Sequence, residues 1–154
     1  MQEFRSVNDV LDFAIAEEEA AAQFYLALAS KMDRAWMRKV FQDFAKEEQG
    51  HKARLLGVKA GKIPLLTEAQ VMDLKIGDYL VKIDADEQIA DLDYQQALIV
   101  AMKKEKAAFK LYMDLANQTS QPEFVALFQS LAQEEAKHKL RFEVEYDDLF
   151  LANN

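Results

Sequence analysis

Residues 14–29 read AIAEEEAAAQFYLALA and residues 40–54 read VFQDFAKEEQGHKAR; the pair returns as AMKKEKAAFKLYMDLA at 101–116 and LFQSLAQEEAKHKLR at 127–141. The copies align without a gap, 87 residues apart, through Glu18/Glu105, Tyr25/Tyr112, Leu28/Leu115, Phe41/Phe128, Glu48/Glu135, His51/His138 and Arg54/Arg141. Each copy holds one Glu and, thirty residues on, an E-x-x-H. Duplication explains the repetition. It does not explain why these positions agree while Glu17/Lys104, Ala22/Phe109, Gln49/Ala136 and Gly50/Lys137 differ.

Helix geometry turns the spacing into a site. Val10, Phe13, Ala14, Ala21, Phe24, Tyr25 and Leu28 recur at helical spacing. A first helix is expected over about 6–32, with Ser6 and Asp9 as a capping box. A second is expected over about 34–60, capped by Asp33 and ended by Gly61 at C′, with Pro64 preventing resumption. A crossover over about 61–91 follows, with a short helix at Thr67–Leu74 and a solvated acidic stretch at Asp84, Asp86 and Glu87. A third helix spans about 92–118. Ser120 as N-cap, Pro122 and Glu123 open a fourth over about 121–150. The fold class is thus all-α: a four-helix bundle made of two helical hairpins and one long connection, in a single domain over 1–154.

Glu18 lies about fourteen residues before the first turn and Glu48 about fifteen after it, so both stand roughly 20 Å from that turn, at one level. Glu105 and Glu135 repeat this about the turn near Ser120. His51 and His138 lie one helical turn beyond their Glu, on the same face. Six ligands converge: Glu18, Glu48, His51, Glu105, Glu135 and His138. In the run Glu17-Glu18-Glu19 only Glu18 has the inward register.

Four core carboxylates would be prohibitive without compensation, and two divalent cations cancel them. Oxygen-rich coordination with one imidazole per ion suits iron or manganese better than structural zinc, which remains an adventitious occupant. Tyr25 and Tyr112 lie two turns after Glu18 and Glu105, placed for their hydroxyls to hydrogen-bond ligand carboxylates; the bland alternative is a core aromatic. Glu47 and Glu134 either orient the imidazoles or lie on an exposed face. Trp36, Phe41, Phe44, Leu127, Phe128 and Leu131 are expected in the core. Phe142, Tyr146, Leu149 and Phe150 either extend it or cover a dimer contact.

Composition narrows the function. The formal charge of −8 makes nucleic acid and anionic membranes poor partners. The absence of Cys removes disulfides, thiolate catalysis and Cys-ligated metal sites. With no apolar stretch of signal-peptide or membrane-span type, a cytoplasmic location is expected.

Glu18…Tyr25, Glu48-Gln49-Gly50-His51, Glu105…Tyr112 and Glu135-Ala136-Lys137-His138 together resemble the rubrerythrin family of the ferritin-like di-iron carboxylate superfamily, over essentially the whole chain. The resemblance implies two iron ions, bridged by Glu48 and Glu135, with Glu18 and Glu105 terminal and one His on each ion. It also implies a homodimer or higher assembly. Two departures matter. The chain has no Cys for a rubredoxin-like domain, so electrons are expected from a separate donor, such as a rubredoxin-like protein, or from a small reductant. Ala108 stands where peroxide-reducing relatives carry an extra Glu, and its repeat partner is Ala21.

The leading reading is therefore a non-haem di-iron oxidoreductase acting on hydrogen peroxide or O₂, in detoxification or ferrous iron oxidation. The alternative is an iron-binding or buffering protein without turnover. A third reading, oxygenation of an organic substrate, rests on the small residues Ala14, Ala21, Ala101 and Ala108 leaving space beside the ligands.

Overall fold

The computed structural model describes residues 7–61, 79 and 93–151, which fall into two compact units, Met1–Leu74 and Lys75–Asn154. Among the described residues there is no strand. Each unit is an antiparallel helical hairpin.

In the first unit, α1 (Val7–Ser30) packs along α2 (Ala35–Ala60). The buried positions of α1 include Val10, Leu11, Ala14, Glu18, Tyr25 and Leu28; those of α2 are Met37, Phe41, Ala45, Glu48, His51 and Leu55. The α2 set steps by three and four residues throughout, and the α1 set keeps to one helical face in the same way. The register is held at two levels outside the core. Lys59 pairs with Asp12, and Glu19 accepts hydrogen bonds from Gln49 (2.6 Å) and Lys52 (3.4 Å).

In the second unit, α3 (Tyr94–Gln118) packs along α4 (Pro122–Tyr146), which runs on into one π-helical turn, Asp147–Leu151. The start of α3 is tied to the end of α4: Tyr94 donates to Glu145 (3.1 Å), and Gln95 donates to the Tyr146 hydroxyl (2.9 Å). Tyr79, from the crossover, is buried and donates to Asp114 at 2.6 Å. Lys110 also reaches Asp114 (3.1 Å) and sits 5.0 Å from the Tyr79 ring centroid.

Several terminal expectations shift by a residue. The N-cap of α2 is Arg34, not Asp33, and no side chain caps it; its carbonyl accepts from the Arg38 N–H at 3.1 Å. Gly61 is the C-cap itself, in right-handed helical conformation (φ −69°, ψ −12°), because its N–H continues the helix to the Gly57 carbonyl. Gln121, not Ser120, caps α4, since Pro122 occupies the first turn. Asp93 makes a full capping box with Gln96, inside the expected start of α3. The expected cap Ser6, the short helix at 67–74 and the acidic stretch at 84–87 lie outside the described residues.

Phe41, Phe128, Leu131 and Phe142 are buried, Phe44 and Leu127 half-buried. Trp36 is 51% exposed, against expectation. The inward stripe of α2 runs through Met37 and Phe41, and the preceding residue is turned about 100° away from it. Leu149 is likewise exposed, whereas Tyr146 and Phe150 are half-buried with their rings 5.2 Å apart.

Candidate metal centre

Each hairpin builds a buried triad from one residue of its first helix and an i, i+3 pair of its second. In the first unit these are Glu18 from α1 and Glu48 and His51 from α2, each no more than 2% exposed. One carboxylate oxygen from each Glu and one ring nitrogen of His51 lie within 4.8 Å of one another. His51 Nδ1 is 3.4 Å from Glu18 Oε2 and 3.7 Å from Glu48 Oε1. In the second unit Glu105, Glu135 and His138 converge within the same 4.8 Å, with His138 Nδ1 3.6 Å from Glu105 Oε1. The structure thus brings together in each half the three residues expected there. Glu17 and Glu19 are only half-buried, which leaves Glu18 as the inward member of its run.

These separations are longer than good hydrogen bonds, which centre near 2.9 Å. Donors held ~2.1 Å from one ion stand roughly 3 Å apart when adjacent, so a small adjustment would close either triad on a cation. Chemistry agrees with distance. Two carboxylates and one imidazole, all buried, form a hard, oxygen-rich donor set suited to iron or manganese. Burial pushes the Glu18 carboxyl from its ordinary 4.5 to about 8; the His51 imidazole, 3.4 Å away, opposes the rise, and the Glu48 carboxylate adds to it. Nearby, Glu19 moves the opposite way, held low chiefly by the hydrogen bond from Gln49.

Tyr25 and Tyr112 are buried, and both have aromatic neighbours. Tyr25 meets Phe24 and Phe44 edge-on, with centroids 5.8 and 5.9 Å away, while Tyr112 stacks on Phe128 at 6.4 Å. Glu47 is exposed and Glu134 half-buried.

A rubrerythrin family model matches residues 9–146. The chain belongs to the rubrerythrin family. Membership covers both triads and all four helices. Among solved structures, one from Thermotoga maritima described as a ferritin-like diiron-carboxylate protein is similar over 96% of this chain and 99% of its own, with 21% identity and a TM-score of 0.78. A hypothetical protein from Pyrococcus furiosus is similar over 92% of this chain and 89% of its own, with 24% identity and a TM-score of 0.70. These likenesses show the ferritin-like four-helix fold expected from the sequence. No curated protein matches the chain. Among the described residues no helix is long and apolar enough to cross a membrane.

Two features of this rubrerythrin-family chain escape a reading of its sequence. The bridge of Glu19 with Gln49 and Lys52 has a signal only once the hairpin register is known, when i, i+3 polar residues of α2 fall opposite an acid of α1. The seat of Tyr79 on Asp114 had no such signal, since a crossover residue carries no periodicity.

Proposed function

We propose that the two triads hold two iron ions, and that the protein is a di-iron oxidoreductase that reduces hydrogen peroxide or O₂. The observation that carries this reading is the pair of buried Glu/Glu/His triads, one per hairpin, in a chain of the rubrerythrin family. Glu18, Glu48 and His51 of the first unit and Glu105, Glu135 and His138 of the second would hold the ions.

Bound iron would supply the electrons: two Fe(II) give one each, so with two protons one H₂O₂ becomes two waters. The chain's own part is electrostatic and positional. Four carboxylates balance two divalent ions, and the buried faces of the helices keep bulk water away. Tyr25 and Tyr112 are proposed to hold ligand carboxylates in place through their hydroxyls. Electrons for further turnover would come from a separate donor protein or a small reductant. A homodimer and a cytoplasmic location belong to the same proposal.

The test is stopped-flow absorbance on anaerobic protein loaded with about two Fe(II) per chain, mixed separately with H₂O₂ and O₂. Faster oxidation by H₂O₂ supports peroxide reduction despite Ala108. Faster oxidation by O₂ supports ferroxidase chemistry. No oxidation band with either removes the enzyme reading and leaves iron buffering. Glu48→Gln with Glu135→Gln separates the two further. Catalysis should fall beyond the loss of bound iron, whereas under buffering the two losses should match.

A further inference from the structure

The two halves of the duplication differ in chemistry on one flank of the hairpin. In the first unit Glu19, Gln49 and Lys52 close the gap between α1 and α2 with a polar bridge, and Ala22 beside them is fully buried. The aligned positions in the second unit are Lys106, Ala136, Lys139 and Phe109. No bridge can form there: the acid is now a cation and the amide a methyl. In its place is a groove of about 310 Å³ lined by Lys106, Phe109, Ala136, Lys139, Leu140 and Glu143. Phe109 is 38% exposed and Leu140 60%.

We propose that this groove binds a small amphipathic anion, an apolar chain or ring ending in a carboxylate. The volume sits at the small end of ligand pockets, ~300–1,000 Å³, which suits a small ligand. Phe109, Ala136 and Leu140 offer an apolar floor. At the rim, Lys139 is already paired with Glu143. Lys106 forms no ion pair or hydrogen bond among the described residues. The groove's unmatched charge is therefore one ammonium beside an apolar surface, which fits an anionic head and an apolar tail. The acidic remainder of the chain does not override it, because charges farther than ~8 Å are screened at physiological salt.

A second copy of the chain is the weaker occupant. Phe109 and Leu140, with the neighbouring exposed Val144, offer at most a few hundred Å² of apolar surface, against ~800 Å² per partner in a stable dimer.

The experiment is calorimetric titration of the full chain with decanoate, with decyltrimethylammonium as the opposite-charge control. Decanoate should bind saturably, one per chain, and the cation should not. Lys106→Glu with Ala136→Gln rebuilds the first unit's bridge opposite Lys139. It should weaken decanoate binding roughly tenfold or more, since a charge is reversed and the groove closed, while leaving the thermal midpoint unchanged or higher. Phe109→Ala, which copies Ala22, should also weaken binding. Absent saturation, equal binding of the cation, or unaltered affinity in the bridged variant each overturns the proposal. So does sedimentation showing a wild-type dimer that the bridged variant splits, which would make a second copy the occupant.

Discussion

Replacing Glu18 by Gln in the metal-free protein should raise stability at high pH, and the size of the gain follows from the buried carboxyl. An unfolded-state Glu ionises near 4.5, whereas in the folded hairpin burial pushes Glu18 up to about 8. Below about 4.5 the residue is protonated in both states and costs nothing extra. Between about 4.5 and 8 the unfolded chain ionises and the folded one resists, so folding loses stability as pH rises. Above about 8 the loss is complete, roughly 5 kcal/mol if nothing relaxes. Water entry and side-chain movement reduce this, and Gln brings its own buried amide, so a net gain of at least ~2 kcal/mol is expected at pH 8.5. For a chain of this size that is roughly 4–8 °C in thermal midpoint. The assay is thermal unfolding of chelator-treated wild type and Glu18→Gln across pH 4.5–8.5. The difference should be small at the acid end and grow steadily. A pH-independent difference, or a variant less stable at pH 8.5, would refute the reasoning that burial without a cation dominates at this position.

Two further outcomes follow. Metal binding must displace the Glu18 proton, so apparent Mn(II) or Fe(II) affinity, measured by anaerobic calorimetry, should decline progressively as pH drops below about 8; affinity unchanged down to pH 4 would contradict ligation by these residues. Gly50 lies exposed inside α2, and a Cβ added there would meet nothing within 4 Å, so Gly50→Ala should stabilise by about 1 kcal/mol, seen as a rise of roughly 2–4 °C.

The parts legible in the sequence were those that helix geometry fixes without help from tertiary structure. An i, i+3 pair shares a face wherever the helix is placed, so Glu48 with His51 and Glu135 with His138 could be read directly. Equal distances from a turn put Glu18 and Glu105 at the level of their partners. Helix ends obeyed weaker rules. Asp33 and Ser120 are good caps by residue type, yet Arg34 and Gln121 took the positions, because the chain's entry into each helix is set by the hairpin turn. At the first turn, Lys31 and Met32 donate to the carbonyls of Leu28 and Ala29, and at the second Gln121 donates to Thr119 Oγ1. Trp36 misled for a related reason: residue type argued for the core, whereas the helical phase set by Met37 and Phe41 turned it outward.

Burial separates ligand from scaffold at some of these positions and not at others. A leucine at any of the six triad positions would contribute ~1.5–3 kcal/mol by its burial alone. Glu18 instead resists ionisation there, so packing gives no reason for its presence. The same holds for a buried Glu followed one turn later by a buried His, in both hairpins. A stability-driven core has no use for these groups, and the proposed iron would give them one. Tyr25 and Tyr112 stand on the other side of this criterion. Their rings pack against Phe24, Phe44 and Phe128 and would stabilise the hairpins with or without iron. Removing the hydroxyls alone therefore keeps this packing: Tyr25→Phe and Tyr112→Phe should cost the metal-free hairpins no more than about 1–2 kcal/mol each in thermal unfolding, while slowing oxidation of the iron-loaded protein in stopped flow.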